Sequence, residues 1–168
     1  MTHVSQNKRG FTLIEMLVYV SVMLLIAVGL ITTFHSLDTV LLKNRDDRAL
    51  TESASVALER MGSALRGATI VDTGASTLGT SPGVLTLIAG ATTTTFSLSG
   101  GRVILSENGE EVGPLTGSDV TVDDLRFTHY VGTATELVRV ALTLTRVGSV
   151  STSTRTFYSS EVLRGSYE

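Results

Sequence analysis

Hydrophobic and polar positions fall into three regimes along the chain. From Phe11 to Phe34 the only ionisable side chains are Glu15 and the Tyr19 phenol, and the rest is apolar or small. Such a run predicts a membrane-crossing helix. At about 1.5 Å per residue it rises about 36 Å, enough for a hydrocarbon core of about 30 Å with some tilt. Leu50, Ala54, Ala57, Leu58, Met61 and Leu65 then recur at spacings of three and four, which predicts an amphipathic helix with one face on a sheet. The charged interval between, Lys43 to Arg48, has no large apolar residue and reads as a solvated turn of helix. Gly67, after Arg66, ends the pattern as a helix C-cap.

From residue 69 the period shortens toward two. Thr- and Val-rich runs bounded by Gly, Asn, Asp and Ser predict strands near 84–89, 93–99, 102–107, 110–115, 120–130, 136–147 and 155–163. Gly100-Gly101 and Asn108-Gly109 suit two-residue hairpin turns and predict a three-strand meander. In the clearest alternation, Val138, Val140, Leu142 and Leu144 stand against Arg139, Ala141, Thr143 and Thr145, the mark of a central strand with one buried face. The Thr/Ser clusters at 92–95 and 151–156 read as exposed strand or loop.

The flanks of the apolar run orient it. Residues 1–10 carry Lys8 and Arg9 without an acid, whereas the far side mixes both signs, so the N-terminus is expected in the cytoplasm and the β region outside it. With no cysteine in 168 residues, that region must be held by burial and strand pairing, and a lipoprotein anchor is excluded.

Glu15 is the anomaly, because a carboxylate inside a span is costly and implies a partner. A secretory signal peptide cut after Ala27-Val28-Gly29 is opposed by Glu15 at its start and by the apolar Leu30 and Ile31 beyond the cut. A plain signal anchor carrying an extracytoplasmic binding or adhesin domain is the rival reading.

The residues KRGFTLIEMLV, 8–18, resemble the processing site of type IV prepilins and pseudopilins. The resemblance implies a leader 1–10 with basic Lys8 and Arg9, cleavage after Gly10 by a membrane-embedded prepilin peptidase, and methylation of the new Phe11 amine. It also implies that Glu15 meets the Phe11 amine of a neighbouring subunit in a filament. The implied fold is α+β and pilin-like: a transmembrane half-helix 11–34, an amphipathic half 35–66, and an antiparallel β domain 67–168. Implied partners are the peptidase, other pilin or pseudopilin subunits, an inner-membrane assembly platform and the membrane, first as a single-pass protein of the cytoplasmic membrane and then as a surface or periplasmic filament. The span lacks the mid-helix Pro of many major pilins and the chain lacks their C-terminal disulfide. ALERMGSALRGA, 57–68, and RTFYSSEVLRGSY, 155–167, resemble J-type minor pseudopilins and minor pilins.

No catalytic residue, metal or cofactor is expected. GTSPG, 79–83, matches the G-x-S-x-G elbow formally, but Pro82 has no N–H to give an oxyanion and VLTLI reads as strand, not helix. His3, His35 and His129 lie in separate segments, and His35 suits a membrane interface. Asp119, Asp123 and Asp124 could contribute to calcium binding, which some pseudopilins show, but they lack the EF-hand pattern and read as solvated loop and strand start. Losing Lys8 and Arg9 takes the formal net charge from −3 to −5, which disfavours nucleic acid as a partner.

Overall fold

The computed structural model describes residues 12–132, 135–147 and 152–163, with the backbone alone for 35–44. The chain divides into two compact units, Met1–Leu41 and Leu42–Glu168. Helix α1, Leu13–Gly67, is continuous in sequence through that boundary. Within the first unit, the described side chains of 13–34 are exposed apart from half-buried Ala27.

The second unit is built by burying the face that the three-and-four spacing defines. Leu50, Ala54, Ala57, Met61 and Leu65 are at most 1% exposed, and Leu58 packs at their margin. They share one core with residues of two antiparallel sheets. The first sheet orders β1 (Ile70–Val71), β2 (Leu85–Ala89), β3 (Thr92–Ser99), β4 (Arg102–Glu107) and β5 (Glu110–Pro114) side by side. The second orders β6 (Thr121–Val131), β7 (Glu136–Val147) and β8 (Thr152–Val162). Seven of these strands follow the sequence expectation to within three residues at their ends. β1 does not, because two residues carry no periodic signal.

Both predicted hairpin turns form. Gly100 and Gly101 have φ of 57° and 70°, and Asn108 and Gly109 have 52° and 85°, the positive pair that a tight turn between twisted strands requires. Asn108 adds a side-chain bond, its Oδ1 accepting from the Thr93 N–H at 2.9 Å. β3, β4 and β5 are therefore the expected meander.

The sheets part after β5: the Leu115 N–H still donates to the Val103 carbonyl at 2.8 Å, and 116–120 then turns away. Thr116, 2% exposed, anchors that turn: its hydroxyl accepts from the Val103 N–H at 3.3 Å, and its carbonyl accepts from Arg102 Nη2 at 2.9 Å. β7 lies at the centre of the second sheet, with Val138, Val140, Leu142 and Leu144 at most 1% exposed. The alternation was a reliable guide because one face meets apolar core and the other water.

The charged interval 43–48 departs from the solvated turn expected of it. Lys43 and the Asn44 side chain lie outside the described residues, and Arg45 and Arg48 are exposed. Asp46, however, is buried at 7% exposure, and Arg146 Nε lies 3.1 Å from its Oδ1. Arg146 also meets Asp119 at 2.8 Å, and the neighbouring Asp47 meets Arg155 of β8 at 2.8 Å. Further along the helix, Arg66 meets Glu161 of β8 at 2.9 Å. A run of charge thus reads as solvated only until the partners that fold opposite it are known.

Candidate functional site

The residues that open α1 form a local hydrogen-bonded unit. The Thr12 N–H and the Thr12 hydroxyl both donate to Glu15 Oε2, each at 3.1 Å, and the Glu15 N–H donates back to Thr12 Oγ1 at 3.3 Å. This is a capping box, with Thr12 as N-cap and Glu15 three residues into the helix, satisfying two of the amide donors that a helix start leaves unpaired. Glu15 also places negative charge in the first turn, where the helix dipole favours it.

Both internal bonds use one carboxylate oxygen. The Glu15 side chain is held in a fixed direction while the group stays exposed. Thr12 is a member of this site that the sequence reading passed over; its signal was the T-x-x-E spacing.

Beyond the cap, Leu13–Phe34 is long and apolar enough to cross a membrane by length and composition. Exposure of its large side chains runs from 48% at Val22 to 83% at Leu13. Three aliphatic hydroxyls within it are satisfied by their own helix. Ser21 donates to the Leu17 carbonyl at 2.8 Å, and Thr32 and Thr33 both donate to the Gly29 carbonyl at 2.9 Å. Hydroxyls bonded in this way present little unpaired polarity to an apolar surrounding. Gly29, which supplies that shared carbonyl, is itself helical.

Lys8, Arg9, Gly10 and Phe11 lie outside the described residues, as do His3 and the side chain of His35. Of the expected processing and assembly residues, the structure therefore describes Glu15.

His129, Asp119, Asp124 and Ser81 have local partners. His129 Nε2 lies 3.1 Å from Glu136 Oε2 on the adjacent strand. Asp119 is engaged by Arg146, Asp124 lies 3.8 Å from Arg126, and Asp123 is exposed at the bulge in β6. Among the described residues no group of three or more His, Cys, Asp or Glu could hold a metal. Ser81 and Pro82 sit in a loop stitched to the edge of β6, where the Gly79 N–H donates to the Phe127 carbonyl at 2.7 Å and the Gly83 N–H to the Leu125 carbonyl at 2.8 Å. The Ser81 hydroxyl accepts from the Leu125 N–H at 3.4 Å, so this serine closes a sheet edge.

The described N-terminal residues are thus a capped acid followed by an exposed apolar helix long enough to cross a membrane. Residues 5–31 match the family described as the prokaryotic N-terminal methylation motif, which supports a type IV prepilin-like family for this chain. That match takes in residues 5–10 of the expected leader, the cap and most of the apolar helix. No curated protein and no solved structure matches the chain.

Proposed function

We propose that this chain is a structural subunit, a minor pilin or pseudopilin, of a type IV pilus or a type II secretion-like pseudopilus. Prepilin peptidase removes residues 1–10 by cutting after Gly10 and methylates the Phe11 amine, while Lys8 and Arg9 hold the leader in the cytoplasm. Gly10, without a Cβ, lets the peptidase draw an extended backbone close at the scissile bond. The β domain stands outside the membrane.

Assembly then exchanges lipid for sister helices around the apolar face of 11–34, so little hydrophobic free energy is lost on transfer. Phe11 contributes a new cation in an apolar setting, and an unpaired charge there is expensive. Glu15 of the neighbouring subunit answers it. The observation that carries this reading is the Thr12–Glu15 cap, which holds a carboxylate in a fixed direction at the head of an exposed apolar helix. The role is assembly, with the other subunits and the inner-membrane platform as partners, and no step of it is catalytic.

Mass spectrometry of the N-terminus from native membranes tests the processing. A chain beginning at N-methylated Phe11 is expected; one beginning at Met1 would mark a plain signal anchor and end the proposal. Glu15→Ala tests assembly separately, with cleavage unchanged and recovery in sheared filaments falling about tenfold or more, as the loss of a desolvated ion pair requires.

A further inference from the structure

The outward face of the second sheet carries a shallow groove whose chemistry the assembly reading leaves unused. In one paired row across the three strands stand Arg126, Ala141 and Tyr158. Ala141 has a single methyl group between two long side chains, and this difference in bulk makes the floor of the groove. Its lining extends to Thr128, Thr143 and Thr156, with Asp124 as its one acid.

Arg139 also lines the groove, its guanidinium 4.8 Å from the centre of the Tyr158 ring. Stacking of this kind fixes the plane of the cation without neutralising it. Elsewhere in the domain Arg60, Arg66, Arg146 and Arg155 each meet a carboxylate at 2.8–3.1 Å. Arg126 lies 3.8 Å from Asp124, beyond hydrogen-bond reach, and no ion pair of Arg139 occurs among the described residues. Two guanidiniums with spare donors therefore share the groove with hydroxyls that can both donate and accept.

We propose that this groove binds an acidic polysaccharide of the uronic-acid type. Its carboxylates match the planar forks of Arg126 and Arg139, which suit bidentate pairing. Its hydroxyls match the threonines, of which Thr143 and Thr156 stand 3.0 Å apart with their hydroxyls paired. The Ala141 methyl and the Tyr158 ring, on a side chain 61% exposed, supply apolar surface for the C–H face of a sugar. Stacking decides against nucleic acid. Successive bases need successive aromatic platforms, and the described lining has one aromatic, Tyr158, whereas its three threonine hydroxyls match a hydroxyl-rich sugar chain.

The test uses the full chain in detergent micelles and biolayer interferometry on immobilised polygalacturonate. Saturable binding is expected, weakened about tenfold by Arg139→Gln, which removes charge-assisted bonds, and by Ala141→Leu, which fills the floor. Arg139 is exposed and Ala141 half-buried, both on the outward face of the sheet. Arg60→Gln, outside the groove, should bind as the parent does. The proposal is overturned by no saturable binding to polygalacturonate, by equal binding to neutral dextran, by tighter binding to single-stranded DNA, or by Arg139→Gln and Ala141→Leu binding as the parent does.

Discussion

Glu15 shows how one side chain can serve two charge problems. In the single subunit its Oε2 satisfies the Thr12 N–H, and the helix dipole adds a favourable field. In the proposed filament the same carboxylate meets the neighbouring Phe11 amine. Thr12 is then a positioning residue, because its hydroxyl both donates to the carboxylate and accepts from the Glu15 N–H. Thr12→Val, which keeps the shape and loses the hydroxyl, should speed amide exchange over 13–15 in micelles by about tenfold, and Thr12→Ser should restore protection. Unchanged exchange in Thr12→Val would remove the cap from the account.

Among the elements, α1 is bound to the second sheet by two kinds of contact. Its apolar face is buried in the shared core: Leu65→Ala, at a fully buried position, should cost about 2–5 kcal/mol, read from the shift of the denaturation midpoint. The ion pairs at its flank set where the helix sits. Asp46 is buried, and Arg146 is shared between it and Asp119. Asp46→Ala should therefore destabilise the domain by about 2 kcal/mol. A double-mutant cycle with Arg146→Ala should return a coupling of about 1–3 kcal/mol; a coupling near zero would mean that the pair is a bystander of the packing.

At the scale of the whole molecule, the two units answer to different solvents. The span exposes apolar side chains throughout, whereas Leu42–Glu168 has its own core of α1 residues and both sheets. A chain starting at residue 42 should accordingly remain soluble without detergent and unfold in one cooperative transition, followed by circular dichroism. Aggregation of that fragment, or a broad non-cooperative melt, would show that the domain depends on the residues before it. Such a fragment would also be expected to lose filament incorporation entirely, since both the cap and the apolar helix are gone.

Local physics made much of this legible in advance. The span, the amphipathic stretch, the alternation in β7 and the two hairpin turns each depend on a side-chain period or on backbone freedom, and these act between residues close in sequence. The Thr12–Glu15 cap carries its signal in spacing for the same reason. The tertiary structure decided what depends on distant partners: that Asp46 is buried because Arg146 folds against it, that the strands part into two sheets where Thr116 is pinned to Arg102 and Val103, and that Arg126, Ala141 and Tyr158 come to stand in one row. Charge and pairing across the fold depend on distance in space, and a linear pattern holds that information only after the chain has closed on itself.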